Sequence, residues 1–178
     1  IHRSGDRDGA IFFAGYDMTR ASGTRRDPAA GARSVARKLA LQALYRLQLN
    51  DGPWQDLVTD FRTEEDMARA DETFFVALVQ GIAVDRVALD ERLAAYTDRK
   101  PVELDPVEHA VLLIGIYELL HHPEVPWRVV LNEAVAITKR FGATDGHKFV
   151  NAVLDRAARE FAAVGQAAAG TGQLRPDE

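Results

Sequence analysis

Between residues 33 and 164 the hydrophobic residues recur three and four positions apart, the spacing that gathers side chains onto one side of an α-helix. Val35, Leu39, Ala43 and Leu47 line one side of a first helix over about 33–50, and Leu41, Leu44 and Tyr45 occupy its other sides. A helix that is apolar on more than one side is enclosed by neighbours. Asn50–Asp51–Gly52–Pro53 stops it. The pattern then predicts a short helix over 54–61, a longer one over about 65–83 through Phe74, Phe75, Leu78, Val79 and Ile82, and another near 85–97 with Val87, Leu89, Leu93 and Tyr96.

Asp105–Pro106–Val107–Glu108 marks the sharpest boundary. Asp105 can cap free backbone N–H groups, Pro106 fits a first helical position, and Glu108 completes a capping box. That helix runs to about His121 and stops before Pro123. Pro126 opens the next, which carries Val129, Val130, Ala134 and Ile137 to Phe141 and closes at Gly142. A last helix starts near Thr144–Asp145 and continues to about Val164. No stretch alternates with the period of a strand, and no fixed-period repeat occurs. The short connections favour a compact helical bundle.

Composition refines this picture in two places. The chain lacks cysteine, which excludes a disulfide framework, Cys-ligated metal and a Cys nucleophile. Its apolar runs fall short of the roughly 18 residues a membrane span needs, so the expectation is a cytoplasmic protein without membrane contact. The net charge of −5 is unevenly spread. Residues 1–38 carry eight Lys/Arg against four Asp, whereas the remainder is strongly acidic. A basic arm on an acidic body is the pattern of a tail that meets a polyanion, and equally that of a solvated tail. Gly, Arg, Asp, Ser and Thr dominate 1–31, so this arm is expected to be disordered, with 32–164 as the folded domain and 165–178 as a flexible tail. Met18 would make 1–17 an extension upstream of a translation start.

Catalytic motifs are absent: there is no phosphate-binding glycine loop, no GxSxG and no HExxH. Glu118 and His121 share the Glu-x-x-His spacing of di-iron bundles, which need it twice, and it occurs once. Neither an enzyme nor a cofactor or metal site is expected. Two features point elsewhere. The apolar stripe Val150, Val153, Leu154, Ala157, Phe161 leaves Phe149 at its edge and Lys148 nearly opposite, beside Asp145 at the helix start. An aromatic ring with a nearby cation is a platform for single-stranded RNA, though the ring can equally pack beneath a neighbouring helix. Arg33 and Arg37, four apart on one face near Lys38, Arg25 and Arg26, could contact phosphates or form an ordinary solvated face.

These places fall inside four strings that together resemble the NusB family. They are Ala36–Arg37–Lys38–Leu39–Ala40–Leu41–Gln42–Ala43–Leu44–Tyr45; Leu104-x-Pro106–Val107–Glu108-x-Ala110–Val111–Leu112-x-Ile114-x-Ile116–Tyr117–Glu118–Leu119; Val125–Pro126 with Asn132–Glu133–Ala134–Val135 and Lys139-x-Phe141–Gly142; and His147–Lys148–Phe149–Val150–Asn151-x-Val153–Leu154–Asp155. The resemblance spans roughly 32–160 in order. It implies an all-α, NusB-like helical bundle of about seven helices in two packed subbundles. It further implies a transcription antitermination factor that binds boxA RNA with the ribosomal protein NusE. Together these would join the RNA polymerase antitermination complex and promote transcription of ribosomal RNA operons. Carried over residue by residue, Arg33, Arg37, Tyr96, Asp145, Lys148 and Phe149 would form the RNA surface, and Tyr45 and Glu108 the NusE surface. Family members often carry consecutive basic residues in the opening helix. Here Ser34 and Val35 follow Arg33, so either affinity through that helix is lower or Arg20, Arg25 and Arg26 in the arm substitute. Two other readings stay open: the detached RNA-targeting domain of an rRNA cytosine methyltransferase, and a helical adaptor without an RNA role. Monomer and homodimer are both open as well.

Overall fold

The computed structural model describes residues 27–170, with side chains to residue 163. Within them lie seven α-helices and no strand: α1 (Pro28–Leu49), α2 (Trp54–Phe61), α3 (Glu72–Val84), α4 (Arg86–Ala94), α5 (Pro106–His121), α6 (Trp127–Phe141) and α7 (Gly146–Gly170). Short 3-10 turns at Glu65–Arg69 and Pro101–Glu103 join them.

Helix boundaries follow local capping chemistry. Asp105 Oδ1 accepts from the N–H groups of Val107 (2.9 Å) and Glu108 (3.2 Å), so α5 begins where the sequence predicts. The same Asp-Pro device starts α1 five residues earlier than expected. Asp27 Oδ1 accepts from Ala29 N at 3.0 Å and Pro28 takes the first helical position, so residues 28–31 belong to the helix and not to the arm. The expected continuous helix over 65–83 is broken. The Asp71 carboxylate accepts from Phe74 N (2.9 Å) while Asp71 N donates to the Ala32 carbonyl of α1 (3.0 Å), which starts a new helix at Glu72. At the other end α7 continues through Gly170, beyond the expected start of the tail at 165. The segment Gln166–Ala167–Ala168–Ala169 has the highest helix propensity available. Arg20, Arg25, Arg26, Met18 and the expected extension 1–17 lie outside the described residues.

Helices α1–α3 form one subbundle and α5–α7 a second, with α4 packed against α5. Leu39, Leu41 and Leu44 are all buried on different sides of α1, as its pattern required. α5 is the hub. Residues from Val107 to Ile116 are buried without interruption, and the helix packs against α1, α3, α4, α6 and α7. Gly115 lets α7 come close: a Cβ there would sit 2.7 Å from the Leu154 methyls.

α1 runs antiparallel to α5. Gln48 Nε2 donates to the Pro106 carbonyl (3.1 Å) at one end, and Arg37 meets Glu118 near the other. Arg37 Nε and Nη2 each donate to a Glu118 carboxylate oxygen at 2.7 Å, and Glu133 of α6 stands 3.5 Å from Nη1. Side-chain exposure is 3% for Arg37 and 1% for Glu118. The guanidinium also lies 5.1 Å from the centre of the Phe74 ring of α3. Burial by itself disfavours the guanidinium charge, but Glu118, with Glu133 adding to it, holds the Arg37 pKa above its ordinary value. This corrects the expectation that Arg37 faces a phosphate: its donors are spent inside the protein.

Breaking a buried pair orphans a charge, whereas replacing both partners removes the penalty. Arg37→Met should therefore cost about 3–5 kcal/mol in denaturant unfolding, and adding Glu118→Met should recover most of it. Equal losses in the single and double variants would assign the cost to packing instead of the stranded carboxylate.

Candidate nucleic-acid interface

The start of α7 is shaped by a tight connection from α6. Gly142 N donates to the Thr138 carbonyl (2.8 Å), Gly146 N to Ala143 (3.0 Å) and Lys148 N to Asp145 (3.0 Å). Asp145 has φ of 67°, a left-handed conformation that Asp tolerates better than most residues. Gly146 follows, with the Glu108 carboxylate close against it: a Cβ here would meet Glu108 Oε1, which would have to swing aside. The carboxylate of Glu108 thus lies under the first residue of α7 and does not close the expected capping box.

Beyond this turn Phe149 is half-buried, packed on the core by one part of its ring. The Arg99 guanidinium lies 4.5 Å from its centroid. Lys148 is 72% exposed and pairs with Asp145 at 2.9 Å. Arg99 and Lys100 project from the connection between α4 and α5, which Thr97 Oγ1 and Glu103 Oε2 fix by accepting from Arg99 N (3.1 Å) and Lys100 N (3.0 Å). Arg99 was not singled out from the sequence. Its signal was the adjacent Arg99–Lys100 pair in a turn-rich segment, but only the fold brings that pair to Phe149.

The other expected site residues divide. Tyr96 is 5% exposed; its ring meets Phe161 edge-on at 6.0 Å, so no face is open for a base. Burial first, and then the charge and hydrogen bond of Glu160, push its hydroxyl pKa up. Arg33 is partly exposed, with its charge shared between Glu124 (3.3 Å) and Asp71 (3.6 Å), and it lies over the Phe74 ring. Tyr45 is half-buried against the core, and Glu108 is 6% exposed, too deep to touch a partner directly. Arg33 and Arg37 do not join the Asp145–Phe149 surface. Arg37 sits at Glu118 and the α7 start at Glu108, ten residues apart on α5, which is about 15 Å of helix. The expected single junction is instead two opposite ends of the bundle.

Chemically, the α7 start offers a ring capped by a planar guanidinium, flanked by two exposed cations. Bases stack on such planes, and the cations meet phosphate. Among the described residues no cluster of His, Asp and Glu is arranged to hold a metal ion, and no helix is long and apolar enough to cross a membrane. Glu118, weighed above as a ligand, is the counter-ion of Arg37.

Two packed helical subbundles organised on one buried hub helix, with a cationic aromatic surface at its N-terminal end, define an all-α protein of the two-subbundle class. The NusB family model matches residues 34–159, and the chain belongs to that family. It is 44% identical to the transcription antitermination protein NusB of Thiobacillus denitrificans over 135 residues, covering 76% of this chain and 93% of the relative. It is 41% identical to the NusB of Marinobacter nauticus, covering 80% and 90%. The solved structure of T. maritima NusB superposes with a TM-score of 0.64 at 26% identity, covering 72% of this chain and 91% of that one. The family is one of transcription antitermination proteins and not of enzymes.

Glu108 supplies a test of how the α7 start is seated. Burial, and secondarily the Asp105 charge, push its pKa above the ordinary carboxylate value, with Arg99 opposing. A raised folded-state pKa means that the ionised form costs stability at neutral pH, a cost relieved as pH falls through the folded value. Glu108→Gln should be more stable than the parent at pH 7, with the difference shrinking toward pH ~4.5. A variant less stable at pH 7 would show instead that N–H groups at the α7 start hold the charged carboxylate.

Proposed function

We propose that this chain is a cytoplasmic transcription antitermination factor that binds boxA RNA together with ribosomal protein NusE and joins the RNA polymerase antitermination complex on ribosomal RNA operons. The observation that carries the reading is the Arg99–Phe149 stack beside exposed Lys148, in a chain of the NusB family. RNA bases stack on the Arg99–Phe149 pair, and Lys148 and Lys100 meet the backbone. Asp145 sets the turn and partners Lys148. Tyr96 packs against Phe161, twelve residues or about 18 Å along α7 from Phe149, and supports the helix and not the ring itself. Arg33 belongs to the far end of the bundle. NusE docks near Tyr45, which lies at the level of Glu108 along α5. Glu108 contributes there by seating α7.

Titration with boxA-containing RNA, with and without NusE, tests the reading. Phe149→Ala should weaken binding by about 1–3 kcal/mol while the protein stays folded. Arg99→Ala and Lys148→Ala should each weaken it and flatten its salt dependence by about one unit. Absence of RNA binding in both conditions would leave a helical adaptor without an RNA role.

A further inference from the structure

We infer that the Trp127 indole, which opens α6 at the opposite end of the bundle, is a second stacking platform for the same single-stranded RNA; the inference rests on the RNA-binding reading above. Trp127 opens α6, is 37% exposed and takes no part in the hydrophobic core. A large aromatic is normally drawn inward, so one held at the surface beside a cation has the form of a recognition group. The Arg128 guanidinium lies 4.9 Å from the indole centroid and, among the described residues, is in no ion pair. This repeats the Arg99–Phe149 arrangement at the other end.

The surroundings favour a polyanion. Arg33 of α1 is tied to Glu124, three residues before Trp127, so the first turns of α1 stand against this connection. The carboxylates nearby, Glu124 and Asp71, are engaged by Arg33, and Glu133 by Arg37, which leaves the Arg128 charge uncompensated. Val129, 39% exposed, is the one large apolar neighbour on α6, too little for an extended protein-docking face.

α6 lies between the two platforms: Trp127 begins it, and Phe149 sits in the first turn of α7 beyond its end, so they stand apart by roughly the length of this helix, about 22 Å. A stacked strand advances about 3.4 Å per nucleotide, so about six stacked nucleotides span that length, and an extended strand spans it with fewer. Length dependence is therefore the signature. With the full chain and two single-stranded RNAs, of about twelve and about two nucleotides, Trp127→Ala should weaken the longer by roughly tenfold and leave the shorter unchanged. Trp127→Phe should retain most of the affinity, and Phe149→Ala should weaken both lengths. An unchanged affinity of Trp127→Ala for the longer RNA would overturn the second site, as would loss of NusE binding with RNA affinity intact, which would make the face a protein contact. Equal weakening at both lengths would overturn the bridging arrangement. If the parent chain binds neither RNA, the underlying RNA-binding reading fails.

Discussion

The bidentate Arg37–Glu118 pair is the constraint on which the arrangement of the two subbundles turns. It joins α1 to α5 with both partners out of water, and Glu133 and Phe74 extend it to α6 and α3. Hydrophobic packing along α5 would tolerate some sliding of α1, because Leu and Ala side chains fill space without strict direction. A buried guanidinium cannot slide, since any shift by a helical turn would strand two charges. The pair therefore sets register while packing sets most of the stability. With Gln48 against Pro106 at the far end, α1 is held at two heights along the hub.

The register decides which cations are available to a ligand. The chain is acidic overall, and many of its basic groups are neutralised inside it: Arg33, Lys38, Arg62, Arg69, Arg86, Lys148 and Arg159 all contact carboxylates. Exposed pairs of this kind add little stability, about 0–1 kcal/mol each. They do mute the field around most of the body. Arg99, Lys100 and Arg128 are among the cations in no ion pair in the described residues, and Arg99 and Arg128 lie against aromatic rings at the two ends of the bundle. A net charge of −5 is thus compatible with RNA binding when the uncompensated cations are placed beside aromatic rings.

The helices were legible because helical periodicity and capping are local. α2, α5 and α6 fall where apolar spacing and the Asp105–Pro106 and Pro126 signals put them. The break before α3 was not legible, since Asp71 acts there by binding the carbonyl of Ala32, a residue remote in sequence. Arg37 was misassigned for a related reason. Its spacing from Arg33 suggested one polar face, yet Ala36, Ala40 and Leu41 around it are all buried. The clue lay in α5, where a lone glutamate stands among Ile116, Leu119 and Leu120 and must find a cation. The Asp145–Phe149 surface was half legible: the residues were visible and the partner Arg99 was not.

That half-visibility bears on how the surface works. Phe149 is neither a free ring nor a fully buried one; it packs on the core and the Arg99 guanidinium lies against its face. In the proposed RNA-binding role, an incoming base stacks on the guanidinium or displaces it, and both routes exchange one planar contact for another instead of exposing new apolar surface. The rigid seat beneath matters more than ring exposure. Gly146 brings α7 down onto Glu108, which fixes the height of Phe149 against the loop that carries Arg99. A side chain at residue 146 would push aside the Glu108 carboxylate on which the helix start rests. In the proposed role, recognition at this end would rest on this buried carboxylate as much as on the groups that face the solvent.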